Sequence, residues 1–224
     1  MPNNDWLLTW DQDSERLYET GTRMGVLYPT LADGTYGEGV AWNGLTAINE
    51  SPSGAEETAL WADDQKYLSL RSREEFGGTI EAYTYPDEWA ACDGSAALIA
   101  GVYIGQQPRK PFGLCYRTVV GNDTLGEDYG YKLHLVYGAT ASPSEKSYAT
   151  INDSPEAITF SWEFTTIPVE VSGHNRTSIL TVDTTKLTTE DKAHLADLEA
   201  VLYGSGSTAP RLPLPAEVAT ILHP

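Results

Sequence analysis

Between Ile158 and Thr165 apolar and polar side chains alternate without a break. Ile158, Phe160, Trp162 and Phe164 fall on one side, and Thr159, Ser161, Glu163 and Thr165 on the other. Strict period two over eight residues predicts a half-buried β-strand, because successive side chains of an extended chain point to opposite faces. Shorter β-prone runs recur between turn signals at 39–48, 58–62, 66–72, 78–85, 112–120, 131–139 and 177–183. Many short strands at that spacing predict a sandwich or barrel. The polar, Gly-rich stretch "GNDTLGEDYG" (121–130) reads as a hairpin loop.

Period 3.6 replaces period two in two places. "PDEWAACDG" (86–94) opens with Pro and two acids, which suit a helix N-terminus, and closes at Asp93-Gly94. "TTEDKAHLADLEAVLYG" (188–204) has Thr188 or Thr189 as a cap, Glu190 and Asp191 in the first turn, and Gly204 as a stop. Its stripe Leu195, Leu198, Val201 and Leu202 would lie on a sheet. The fold class expected is all-β with minor α: an antiparallel β-sandwich or barrel flanked by a short helix, plus a second, C-terminal helix. Residues 1–39 read as an irregular N-terminal arm, since "LADGTYGEG" holds three glycines in nine residues. Residues 40–204 form the β-sandwich domain, and 205–224 an extended linker and apolar tail. Docking of that tail on a neighbouring subunit and folding back over its own domain are equally open.

Composition narrows the classes. The 224 residues are 41% hydrophobic and 10% aromatic, too rich for disorder. No stretch approaches the roughly 20 apolar residues of a membrane helix. "MPNNDWLLTW" lacks the basic start and long apolar segment of a signal peptide, so the chain is expected in the cytosol where it is made. Cys92 and Cys115 form no ligand or redox motif and read as buried free thiols. The N-x-S/T triplets at Asn49, Asn122 and Asn175 carry no meaning without secretion. A net charge of −18 argues against wrapping around nucleic acid.

The acids are concentrated. From Glu50 to Glu88 there are ten, against Lys66, Arg71 and Arg73. They flank strands, so they belong to an ordered surface. A catalytic pair, a metal site and a surface that repels an anion are the three uses to weigh. The adjacent pairs Glu56-Glu57, Asp63-Asp64 and Glu74-Glu75 point to opposite faces if extended and cannot act together on one bond. His134, His174, His194 and His223 are scattered, with no two at ligand spacing, and His194 near Glu190 makes only two possible ligands. Asp123, Glu127 and Asp128 lack the alternating acids of a calcium loop. No phosphate-cradling loop exists, and "YGSGST" follows a helix, so it is no nucleophile elbow. Six tryptophans and paired acids on a β-scaffold keep a carbohydrate-binding or glycoside-hydrolase-like sandwich as the alternative. Neither a catalytic residue nor a cofactor or metal is expected.

The ordered set "ESPSGAEETALWADDQKYLSL", "FGGTIEAYTYPDEWAACDG", "FGLCYRTVVGND", "YKLHLVYGATASPSEKSYATINDSPEAITFSWEFTT" and "APRLPLPAEV" resembles the major tail (tail tube) proteins of long-tailed phages, over roughly residues 36 to 222. The resemblance implies a non-enzymatic structural protein of the virion. Hexameric rings of self-associated copies would stack into a hollow tube through which double-stranded DNA leaves, without specific binding. It also implies tape measure and tail terminator proteins as partners, and no membrane insertion by this chain. A tube protein of a contractile injection machine would share the architecture. Under this reading Glu56, Glu57, Asp63, Asp64 and Glu81 are expected in the lumen or in ring-to-ring contacts, and Glu50–Leu70 is expected to order on stacking. DNA carries about one charge per 1.7 Å of axis, so a basic lumen would hold it and an acidic one lets it slide. Screening confines the repulsion to about 8–10 Å at physiological salt.

Overall fold

The computed structural model describes residues 7–151, 153 and 156–224. The first six residues of the expected N-terminal arm lie outside the described residues, as do Asn152, Ser154 and Pro155 within the stretches compared above. Strands and helices follow in the order β1 (Leu17–Pro29), β2 (Val40–Ala41), β3 (Leu45–Glu50), β4 (Ser53–Gly54), β5 (Glu57–Ala62), β6 (Gln65–Arg71), β7 (Glu74–Glu75) and β8 (Gly77–Ala82). Then come α1 (Trp89–Asp93), β9 (Ala96–Ile99), β10 (Val102–Ile104), β11 (Phe112–Asn122), β12 (Gly126–Ala141), β13 (Phe160–Thr166) and β14 (Ile179–Asp183). The chain ends with α2 (Thr189–Ala193), α3 (Leu195–Tyr203) and α4 (Pro215–Leu222). The fold is all-β with minor α, and every strand pairing is antiparallel.

The main sheet runs β2-β1-β11-β12-β13-β8-β3, with β14 also on β12. Its two end strands are consecutive in the chain. Trp42–Gly44 joins them through Gly44, whose φ is +76°, and the Trp42 amide donates to the Gly25 carbonyl at 2.8 Å. The sheet therefore curls until its ends meet, as a barrel. β12 is shared: Lys132–Val136 pairs with β14, and Ala139–Ala141 with β13. The handover occurs at Gly138, φ +60°, where an added Cβ would sit 2.2 Å from the Ile167 carbonyl oxygen. Only glycine fits that bend.

Two cores use the two faces of the same strands. Inside the barrel, Trp42, Trp89 and Trp162 pack with Leu27, Ile80, Phe112, Leu114, Val136 and Phe164. The Trp89 ring stands edge-on to Trp162 and Phe112, at 5.4 and 4.9 Å between centroids, a geometry the aromatic quadrupole favours. On the other face, Cys115, Leu133, Leu135, Tyr137 and Val182 pack against Leu198 and Leu202 of α3 and Val218 and Leu222 of α4. β11 is consequently buried almost throughout.

Several expectations are corrected. Residues 17–29 are a thirteen-residue strand and not irregular. Bulges between Thr20 and Thr22 and between Arg23 and Val26, with Gly21 and Met24 at positive φ, break the period that would have revealed it. The run at 39–48 is split at Trp42–Gly44, and the loop at 121–130 shrinks to a turn between Asn122 and Gly126. The helix expected at 188–204 breaks at His194, whose φ of −96° and ψ of 2° leave the helical region; α2 buries no residue, whereas α3 buries Leu198 and Leu202. Thr188 does cap it, accepting from the Asp191 amide at 3.1 Å. The C-terminal tail folds back over its own sheet. The Arg211 amide donates to the Val201 carbonyl, and the Tyr137 hydroxyl to the Pro213 carbonyl at 3.0 Å.

Candidate functional site

Four of the five singled-out acids lie on one projecting arm. β4/β7 and β5/β6 continue the β3–β8 hairpin as a two-stranded ribbon whose residues are nearly all exposed. Asp63 and Asp64 form its tip, with φ of +50° and +59°. A two-residue hairpin turn of type I′ needs positive φ at both positions, and Asp tolerates it better than most residues. Glu57 is paired inside the ribbon: it accepts from Lys66 and, at 2.5 Å, from Ser69, with Arg71 at 3.8 Å. Those hydrogen bonds from Lys66 and Ser69 hold its carboxyl below the ordinary range. The Glu56 backbone bonds both ways with Ser72. Register places Leu60 opposite Leu68 and Thr58 opposite Leu70, so one side of the arm is an apolar strip in water. Trp61, 70% exposed, stands on the other side.

Glu81 is elsewhere. β8 alternates cleanly, with Gly78, Ile80 and Ala82 toward the core and Thr79 and Glu81 away from it. Pairing aligns Ala47, Glu81 and Ser161 in one outer row, and Asn49, Thr79 and Glu163 in the next. The outer face of β3–β8–β13 thus carries Glu81 and Glu163 among small polar residues, with no cation in these rows. Asn49 donates to Glu81 at 3.3 Å. Glu163 belongs with Glu81 although the sequence reading assigned it only to a polar strand face; the signal was there in the period of β13.

Beyond the barrel, β1, β11, β12 and β14 extend as a four-stranded sheet. Its helix-free face bears Glu19, Thr118, Lys132, His134, Thr181 and Asp183. Glu19 accepts from Thr118 and Lys132, both at 2.5 Å. Burial raises its carboxyl, but those two hydrogen bonds and the neighbouring positive charge, Lys132 foremost, together outweigh burial and leave it below the ordinary value. Tyr116 donates to Glu50 and stacks on His134. Thr118 Oγ1 contacts the His134 Nε2 at 3.0 Å.

The margins of this sheet are free. Among the described residues, β14 pairs only with β12, and Leu17–Arg23 of β1 pairs only with β11. The four strands alternate in direction, so β14 and β1 run opposite ways.

Other candidates disperse. Asp123 meets Arg16 at 3.5 Å and Glu127 meets Arg23 at 2.6 Å, so those loop acids are paired with arginines. No three His, Cys, Asp or Glu residues converge as metal ligands among the described residues. Cys92 and Cys115 are buried free thiols in different cores, each pushed up to about 12 by burial. No described helix is long and apolar enough to cross a membrane.

No protein-family model matches the chain, and no curated protein matches it. Among solved structures it is similar to an extracellular contractile injection system, the PVC sheath–tube complex in its extended state. Identity there is 11%, covering 72% of this chain and 89% of that chain, with a TM-score of 0.32.

Proposed function

We propose that this protein is a tube-forming structural subunit of a phage-type tail, assembling head to tail into hexameric rings that stack into a conduit for DNA. The observation that carries the reading is the pair of free margins on the β1-β11-β12-β14 sheet. An exposed edge invites pairing with another chain. With an even number of alternating strands per copy, β14 of one copy meets β1 of the next antiparallel, and the sheet continues round a ring without a break in polarity. A head-to-tail contact of this kind closes when the rotation per copy is right.

Helices α3 and α4 cover one face of that sheet and so take the wider, outer circumference. The uncovered surfaces, with Glu81 and Glu163 on one and Glu19 and Asp183 on the other, then face inward. The arm carrying Glu56, Glu57, Asp63 and Asp64 lies outside this wall and serves ring-to-ring contact, ordering further when a neighbour covers its apolar strip. Lumen acids and arm acids are separate sets.

The carbohydrate reading has less to stand on. Trp42, Trp89 and Trp162 are in the core, unable to stack on a sugar. Negative-stain microscopy of concentrated purified protein tests the choice: rings or tubes support the proposal, and a monomer at every concentration that binds sugar in a titration defeats it.

A further inference from the structure

A second hairpin also holds large apolar side chains in water. In β9–β10, Leu98 and Ile99 are 67% and 66% exposed, and Val102, Tyr103 and Ile104 are exposed beside them. Residues 96–104 contain no charged side chain. The root is firmly held: the Gln107 amide donates to the Gly94 carbonyl and the Lys110 amide to the Ala91 carbonyl, tying the hairpin to α1. A rigidly held, uncharged apolar projection marks an interaction surface.

Its position suits one partner. β8 runs from Gly77 to Ala82. The arm leaves the Gly77 end, where Glu50 pairs with Gly78 and the Ser51 amide donates to the Gly77 carbonyl. α1 and β9–β10 follow the Ala82 end. The two apolar hairpins therefore leave opposite ends of the barrel. The ribbon β5–β6 extends about 20 Å at the rise of an extended chain. Charge matches as well: the arm ends in Asp63 and Asp64, while Arg109 and Lys110 stand at the root of β9–β10. Among the described residues, the Arg109 Nε is buried without a hydrogen-bond partner.

We infer that the apolar strip of one copy's arm, Leu60, Leu68 and Leu70, lies on the β9–β10 hairpin of a second copy in the adjoining ring, its acidic tip reaching Arg109 and Lys110. This rests on the tube reading and names the receptor for the arm. The contact joins two different surfaces and repeats at every level, so it propagates along an axis and does not close.

Hydrogen exchange of full-length wild-type protein, unassembled and assembled, is the first test. Residues 57–71 and 96–104 are both expected to lose rapid exchange on assembly. Tubes in which 57–71 is protected while 96–104 exchanges as before overturn this pairing and leave the tube reading standing. A protein that never forms rings or tubes overturns both. As a second test, Leu60→Cys and Ile99→Cys are prepared separately, mixed and treated with a short bismaleimide; the native thiols are buried and wild type is the control. A cross-linked dimer confined to the assembled fraction is expected, and tubes without one contradict the pairing. Lys110→Glu should raise the concentration needed for tube formation several-fold.

Discussion

The Tyr116 ring lies flat on the His134 imidazole, with centroids 4.7 Å apart and planes 3° from parallel. The stack joins three strands, because Tyr116 also donates to Glu50 at the end of β3 while His134 sits on β12 between Thr118 and Thr181. Burial pushes the His134 pKa below its ordinary 6.5, outweighing the opposite pull of Glu50 and Glu19. The fold therefore holds the ring neutral. As pH falls below 6.5 the unfolded chain gains a proton that the fold resists, so stability falls through the lowered folded value. Glu19 acts in a separate window: its stabilisation is present above 4.5 and lost as pH falls through its own lowered value. Thermal unfolding should show the midpoint declining as pH falls below 6.5, and His134→Gln should flatten that decline. A decline below pH 6.5 that is equally steep in His134→Gln would contradict the assignment.

Trp162 is enclosed by Trp42, Trp89, Tyr85 and Phe160, all within 5.8 Å between ring centroids. Trp162→Ala removes the central ring and leaves a cavity among partners that cannot collapse. The expected loss is about 3–5 kcal/mol in denaturant unfolding. Trp162→Phe should cost less, since it keeps an aromatic ring in the cluster.

At Gly138 the backbone conformation and the Ile167 carbonyl exclude a side chain together. Gly138→Ala should destabilise by at least about 1–2 kcal/mol from the left-handed conformation alone. It should also loosen β13, read as faster amide exchange at Thr165 and Thr166. A neutral effect on both would mean that β12 can hand over its partners without this bend.

The fold was legible where one face alone is buried. β13 and β8 keep strict alternation, and the sequence placed them within a few residues. β1 was not legible, because Gly21, Met24 and two bulges scramble its period while its pairing with β11 compensates. The turn at His194 was invisible as well, since Thr188 to Gly204 carries good helix signals at both ends and the break depends on what lies beneath. The acids show the limit of counting charge. Asp63 and Asp64 serve a turn, Glu57 is engaged by Lys66, and of the five singled out only Glu81 lies on a bare sheet face. Its companion Glu163 becomes visible only when β8 and β13 are paired in register.

Reversing the acids proposed to face the channel separates assembly from conduction. Glu81→Lys with Glu163→Lys changes a solvated strand face and should leave folding and tube formation intact, with stability altered by less than about 1 kcal/mol. Particles built from this variant should release DNA more slowly, the delay shrinking as salt rises, because exposed charges act only within about 10 Å. Normal release kinetics would remove these residues from the lumen.

A cryo-electron microscopy map of the assembled protein bears most directly on how copies join. The proposed arrangement requires Ile179–Asp183 of one copy to pair antiparallel with Leu17–Arg23 of the next, with α3 and α4 outside and Glu81 and Glu163 facing the channel. A map placing those helices against the channel, or leaving both strand margins unpaired between copies, would contradict it.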